Sequence, residues 1–326
     1  MFCDERKKLK YIFKQIIKFI LPGKLWVALR AIHYDNQKRR VSDLIPTLKS
    51  LEIKNSPKYV VSLTSYGKRL VDTAPYAIIT LFNQSVKPDK IILWVAYEDR
   101  GNIPEIMNNL VEKGLEIRFC EDIKSYKKLI PSLEAFPEDY IVTADDDIYY
   151  PRDWFEQLLT EHNKSPQKII CHRTHGIRVD ENHNPIPYDK WDFCIDSKIY
   201  SEHNSFVSQC MFPIGSGGIL YPPKCFHEDI TNKELFMRLA PYADDIWFWA
   251  MAVLNKRYFG EKSPYVVVRN DHGYSWNLLI IEPDQEIDGN ALYNYNLHGG
   301  NDKQFKAMIE QYPKIKEVLT KIRPHP

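Results

Sequence analysis

The chain has 326 residues, 44% of them hydrophobic and 27% charged, the balance of a globular protein with room for one large or two ordinary domains. Its formal charge of +1 is uneven: residues 1–40 carry eleven Lys or Arg against three Asp or Glu, so the rest is a mildly acidic body. That acidic body argues against nucleic acid as a partner. Six cysteines (Cys3, Cys120, Cys171, Cys194, Cys210 and Cys225) contain no C-x-x-C pair, which suits a reducing compartment better than a disulfide framework or a zinc site. No cleavable signal peptide is apparent, and no apolar run approaches the ~20 residues of a membrane span.

In the basic arm, Leu9, Ile12, Phe13, Ile16, Ile17 and Ile20 recur at helical spacing between Lys7, Lys8, Lys10, Lys14 and Lys18. A lysine-rich helix with an aliphatic face suits the surface of an anionic bilayer; the alternative is a helix packed on the protein's own core. Pro22 and Gly23 end this pattern, and Lys24 to Arg30 start a second short helix. The arm is therefore expected over 1–40, with residues 1–30 facing an anionic membrane and residues 41–57 as a linker. The expected location is cytoplasmic, peripheral on the inner face of the cell membrane.

From Lys58 strands and helices alternate. Strands are expected at Tyr59 to Leu63, Lys90 to Val95, Leu115 to Phe119 and Tyr140 to Thr143. Helices are expected at Thr73 to Phe82, Ile103 to Lys113 and Ser125 to Phe136, the last broken or started near Pro131. This alternation predicts an α/β fold, with ligands at the carboxyl ends of a mostly parallel sheet. Neither G-x-G-x-x-G nor G-x-x-x-x-G-K-[ST] occurs, which removes support for dinucleotide oxidoreductases and P-loop enzymes.

The stretch YIVTADDDIYYP, Tyr140 to Pro151, carries the strongest chemical signal. A buried strand runs into Asp145, Asp146 and Asp147, and Pro151 then opens a helix with Trp154, Phe155, Leu158 and Leu159 on one face. Adjacent carboxylates repel, and a hard divalent cation that also holds phosphates would offset them. A solvated acidic turn capping the next helix is the plainer alternative. A second acidic pair, Asp244 and Asp245, opens the apolar stretch IWFWAMAVL. It reads either as a general base at a buried helix or as a helix cap. Gly215, Gly217 and Gly218 in PIGSGGILYPP either admit a ligand to the backbone or form a hairpin. His172, His175 and His183 match no metal spacing and read as loop or core residues. Trp191, Trp247, Trp249 and Trp276 read as core or as stacking platforms for sugar rings.

VVSLTSYGKRLVDTAPYAIITLFNQSVKPDKIIL resembles the opening strand, helix and second strand of family 2 glycosyltransferases, and the aspartates resemble the D-x-D motif of the A-type transferase fold. The resemblance spans about Tyr59 to Leu159, and more loosely reaches Leu254. It implies a Rossmann-like, mostly parallel sheet flanked by helices over residues 58–326, with a nucleotide-sugar half (58–160) and an acceptor half (161–326). It further implies that Thr64, Tyr66, Arg69, Lys128, Asp145 and Asp146 serve the donor. Asp147 and Asp145, joined by His298, would hold a divalent Mn2+ or Mg2+. Asp245 or Asp244 would be the base of an inverting transfer. The implied partners are a nucleotide-sugar donor and a glycan or lipid-linked acceptor, in surface polysaccharide or lipooligosaccharide synthesis. The chain departs from the family after the second strand, where Trp94, Val95, Ala96 and Tyr97 replace an acidic pair that helps hold the base; Glu98 and Asp99 follow slightly later. Two other classes are a metal-dependent hydrolase, which should show a dense His/Asp ligand set, and a non-catalytic membrane-associated sugar-binding protein, which has no need of two acidic sites.

Overall fold

After Pro22 the chain enters helix α1, Gly23–Ser42, which is longer than the short helix expected over Lys24 to Arg30. No proline or glycine interrupts AIHYDNQKRRVS, and Arg39 and Arg40 in the last turn complement the negative end of the helix dipole. The computed structural model describes residues 23–52, 58–193, 211–258, 264–268, 279–281, 295–322 and 324. The amphipathic pattern of residues 9–20 lies outside that set, as do Cys3, Cys194, Cys210 and Trp276. The chain divides into two units, Met1–Pro46 and Thr47–Pro326. No helix among the described residues is long and apolar enough to cross a membrane.

The larger unit is a mixed α/β fold built on a seven-stranded sheet flanked by helices. Its strands in chain order are β1 (Tyr59–Ser65), β2 (Lys90–Ala96), β3 (Leu115–Cys120), β4 (Tyr140–Thr143), β5 (Ile148–Tyr149), β6 (Ile169–Cys171), β7 (Thr174–Gly176), β8 (Met211–Pro213), β9 (Ile219–Tyr221), β10 (Tyr265–Val267) and β11 (Leu279–Ile280). The main sheet runs β10-β6-β9-β4-β1-β2-β3, and β9 alone is antiparallel to its neighbours, β4 and β6. The other neighbours pair in parallel, with Val61 opposite both Ile91 and Val142. KIILWVA and YIVT read as unbroken apolar runs because central parallel strands are covered on both faces. Two small antiparallel pairs, β5 with β11 and β7 with β8, complete the strands.

The helices include α2 (Ala74–Phe82), α3 (Ile106–Glu112), α4 (Ile130–Ala135), α5 (Trp154–Lys164), α6 (Lys233–Leu239), α7 (Asp244–Val253), α8 (Asn301–Gln311) and α9 (Lys314–Leu319). A single turn, Arg69–Asp72, precedes α2. Pro131 sits at the start of α4, after a 3-10 turn at Lys124–Lys128, so the expected break falls there. Trp154, Phe155 and Leu158 are the buried face of α5.

The glycine-rich segment is not a hairpin. β8 and β9 belong to different sheets, joined by a 3-10 turn at Gly215–Gly217. Its glycines are demanded from within: a Cβ on Gly217 would sit 2.6 Å from Cβ of Arg173, and one on Gly218 would collide with the Trp154 indole. Gly218 also has φ +91°, a left-handed value that L side chains rarely adopt. Gly218→Ala therefore should cost roughly 2–5 kcal/mol, strain and overpacking together. Gly67→Ala, at φ +50° with open space around it, should cost only about 1 kcal/mol. Urea unfolding of the two variants checks the contrast.

Candidate active site

The parallel register brings the carboxyl ends of β1 and β4 side by side, since Ser62 pairs with Thr143 and the Ala144 amide donates to Ser62 O at 3.0 Å. The three aspartates leave β4 at this edge. Asp146 turns inward and is 5% exposed. Ser65 Oγ donates to its Oδ2 at 2.5 Å, and Arg69 Nη2 reaches its Oδ1 at 3.0 Å. Asp145 and Asp147, on either side, are half-buried. Arg69 also forms an ion pair with Asp147. The Asp145 backbone N–H donates to the Tyr150 hydroxyl at 2.7 Å, which fixes the turn.

Lys128 stands on the other side of the cluster. Its backbone carbonyl accepts from Ser62 Oγ at 2.6 Å, and Ser62 is linked to Ser132, which in turn accepts from the Trp94 indole at 2.7 Å. Its buried Nζ lies 3.1 Å from Asp145 Oδ1 and 3.1 Å from Asp244 Oδ2. One ammonium thus joins the acidic turn after β4 to the first turn of α7.

Asp244 and Asp245 do not cap that helix. Ala243 is the N-cap, without a side-chain cap. Asp244 faces Lys128, and both Asp245 oxygens accept from the Gly215 amide, at 3.2 and 3.3 Å. A Cβ at Gly215 would lie 2.9 Å from Lys128 Nζ and 3.0 Å from Asp245 Oδ1, so glycine there leaves room for both groups.

The charges are unevenly matched. Five carboxylates converge on two cations, Arg69 and Lys128. Burial pushes the Asp146 carboxyl up to about 7; Arg69 works against this and Asp147 adds to it. Burial, then the charge of Asp244, likewise push Asp245 up to about 7, against the pull of Lys128. Asp147 is raised by burial despite Arg69. Burial alone would lower Lys128, but Asp145, Asp244 and Asp245 outweigh it and hold its pKa well above the usual lysine value.

The remaining expected residues lie near or apart. Thr64 Oγ1 donates to Trp94 O at 2.8 Å, and Tyr66 is 56% exposed beside Arg69. Asp99 accepts from the Gly67 amide at 3.2 Å, so the loops after β1 and β2 touch. His298 is exposed on a kinked turn before α8. Among the described residues no three His, Cys, Asp or Glu side chains gather as a metal-binding group. The donor chemistry still fits a hard divalent cation, because carboxylate oxygens outnumber the cations that face them. His172 and His175 are buried, and burial pushes each down to about 4. His183 occupies the left-handed position of a turn. Trp247 and Trp249 are core. Ser65 and Tyr150 were not foreseen as parts of the site, whereas Gly215 belonged to the glycine-rich stretch that the sequence offered either as a ligand approach or as a hairpin. The signal for Ser65 was its place as the last residue of a strand whose end meets β4.

No known family model matches the chain, and no curated protein sequence matches it. Among solved structures, a mannosyltransferase from Pyrobaculum calidifontis in complex with GDP-Man and Mn2+ is similar at 13% identity and TM-score 0.48, over 90% of this chain and 79% of that one. A 4-diphosphocytidyl-2C-methyl-D-erythritol synthase from Anaerococcus prevotii is similar at 15% identity and TM-score 0.42, over 73% and 97%. Likeness at this distance carries neither a substrate nor a reaction to the present chain.

Lys128→Met should strand Asp145 and Asp244 without their shared cation and cost roughly 3–5 kcal/mol, as breaking buried ion pairs does. Adding Asp244→Asn should recover part of that loss. Denaturant unfolding of both variants measures it, and an unchanged midpoint for Lys128→Met would contradict the shared ion pair.

Proposed function

We propose that the chain is a glycosyltransferase, moving a sugar from a nucleotide-sugar donor to a hydroxyl of a glycan or lipid-linked acceptor in surface polysaccharide or lipooligosaccharide synthesis. The observation that carries this reading is the joining of two acidic sites by Lys128, Asp145 on one side and Asp244 on the other. A transferase needs one group of residues to hold the diphosphate and another to activate the incoming hydroxyl, close together.

The donor would lie at the carboxyl edge of the sheet, along Thr64, Tyr66 and Arg69, with Lys128 toward its diphosphate. A diphosphate does not approach five carboxylates unless positive charge comes with it. Asp145 and Asp147 would hold a divalent Mn2+ or Mg2+, which would stabilise the charge growing on the diphosphate as it leaves. Asp146, bonded to Ser65 and Arg69, holds the turn in place.

Asp245 is the preferred base. Asp244 is committed to Lys128, whereas Asp245 is held by a backbone amide and is half-buried. In the inverting reaction, the acceptor oxygen gives its proton to Asp245 and forms a bond to the anomeric carbon from the face opposite the diphosphate. The bond from that carbon to the diphosphate oxygen breaks, and the diphosphate keeps the electron pair. A carboxyl raised to about 7 is a competent base once ionised, matched to neutral pH. The same shift makes ionised Asp245 a burden on the fold. Its contribution to stability is fully present below the ordinary carboxylate pKa and is lost as pH rises through about 7.

In the enzyme's pH profile, kcat/KM, which reports the free enzyme, should therefore rise through about 7 and level off above it. Asp245→Asn should lower kcat by roughly 10²–10⁴-fold, erase that rise and leave donor affinity intact. Asp147→Ala should weaken donor and metal binding and abolish transfer without unfolding the protein. Steady-state kinetics with donor-binding titrations separate the two outcomes. Full activity of both variants, or a product that keeps the donor's anomeric configuration, would contradict the assignment.

For residues 1–30 we propose attachment to the inner face of an anionic membrane, where each basic residue contributes about 1 kcal/mol at the surface. The full chain should float with anionic liposomes. A variant with Lys7, Lys8, Lys10, Lys14 and Lys18 changed to Glu should not, and equal flotation would refute the attachment.

A further inference from the structure

The loop at residues 240–243, which leads into α7, is held from several sides. The buried Tyr126 hydroxyl donates to Ala240 O at 2.7 Å. The Tyr242 amide donates to Gln304 Oε1 at 2.8 Å, and Asn296 Nδ2 donates to Tyr242 O at 2.9 Å. Both backbone polar groups of Tyr242 are thus bound by side chains from near α8. Its ring is nevertheless 41% exposed, beside the 48% exposed ring of Tyr295. The two rings meet at a steep angle, with centroids 5.4 Å apart. Tyr295 is seated as well: a Cβ on Gly300 would lie 2.6 Å from its Cε1, so glycine there makes room for the ring.

A lysine completes the group. Lys124 opens the 3-10 turn that ends at Lys128, and its Nζ stands 3.7 Å from the centre of the Tyr242 ring. Its backbone has φ +57°, and Asp122 Oδ1 accepts from its amide at 3.0 Å. Asp122 is in turn paired with the buried Lys127. One turn therefore sends Lys128 to the acidic groups and Lys124 to the tyrosines. Exposed aromatic residues scattered singly are ordinary. Here two are seated together, with an ammonium over one ring and the acidic pair two residues further on.

We propose that Tyr242, Tyr295 and Lys124 form an acceptor platform that takes a neutral pyranose ring of the glycan acceptor. Naming the ligand as the acceptor rests on the glycosyl-transfer reading; the platform itself rests on the exposed, seated rings and on Lys124. Tyrosines give a large, rigid contact at low entropy cost. A pyranose matches both parts of the group, with a C–H face for the rings and hydroxyl oxygens that accept from the ammonium. An alkyl chain would cover the rings and leave the ammonium without an acceptor. A phosphate would take the ammonium and leave the rings bare, with Asp244 and Asp245 near in the chain to repel it. Tyr242 is three residues ahead of Asp245, so a sugar held here is presented to the turn that carries the proposed base.

The test uses the full-length protein with ring-labelled tyrosine and the methyl glycosides of glucose, galactose, mannose and N-acetylglucosamine at millimolar concentration. At least one glycoside should shift the ring resonances of Tyr242 and Tyr295, assigned from the single Phe variants. Tyr242→Ala with Tyr295→Ala should weaken that glycoside roughly five- to tenfold, the worth of an aromatic contact, and Lys124→Met should weaken it too. Tyr242→Phe with Tyr295→Phe keeps the rings and should bind as the parent does. The rings are exposed, so the Ala pair should melt as the parent does; if it does not, Lys124→Met and the Phe pair decide. In turnover, the Ala pair should raise the acceptor KM and keep kcat and the donor KM. The proposal is overturned if no glycoside shifts either ring, or if the Ala pair or Lys124→Met binds as tightly as the parent. It is also overturned if the Phe pair binds as weakly as the Ala pair, or if inorganic phosphate or octyl glucoside shifts the rings where no methyl glycoside does. Glycoside binding without any transferase activity would overturn the functional reading and leave the platform standing. Turnover that is indifferent to the Ala pair would do the reverse.

Discussion

One buried ammonium holds this site together. Lys128 lies 3.1 Å from a carboxylate of each acidic group, one on the turn after β4 and one on α7. Burial alone would favour its neutral form, so its charge persists only because Asp145, Asp244 and Asp245 surround it. The dependence is mutual, since those carboxylates would repel one another across a dry space without it. Arg69 does the same for Asp146 and Asp147 at the outer edge. Two cations against five carboxylates leave a deficit, which adds to the effect of burial in raising Asp146 and Asp245. The proposed divalent cation would offset that deficit.

Around this contact the fold supplies precision. Ser62, Ser132 and Trp94 fix the backbone that carries Lys128, while Ser65 and Tyr150 fix the acidic turn. Gly215 admits the lysine and Asp245 to the same space, and no larger residue could do so without moving them. Preorganised charges of this kind act on developing charge without reorganising during a reaction.

Much of this was legible before any coordinates. Strands β1, β2 and β4 are buried on both faces, so their apolar runs are continuous and hard to misread. The triple aspartate follows one of them directly, and local order placed it at the sheet edge. Strand β9 was harder: ILY is three residues between a glycine and a proline, and its antiparallel insertion between β4 and β6 depends on distant pairing that leaves no local pattern. Helix α1 ran past its expected end because the stretch after Arg30 carries nothing that stops a helix. In the site, the acidic residues that the sequence singled out come together, but their partners were not legible. Asp244 and Asp245 looked like a possible cap, and only the structure shows a carboxyl turned toward Lys128 and another toward Gly215. The inward turn of Asp146 likewise needed Ser65 from a neighbouring strand.

The central claim is that this cluster binds a nucleotide-sugar together with a divalent cation. Melting curves of the wild-type protein with a panel of UDP-, GDP-, CMP- and dTDP-sugars, each with and without Mn2+ or Mg2+, test it most directly. The account predicts that at least one nucleotide-sugar raises the melting temperature only when the cation is present, and that a chelator reverses the rise. A panel in which no nucleotide-sugar shifts the melting temperature, with or without cation, would contradict it.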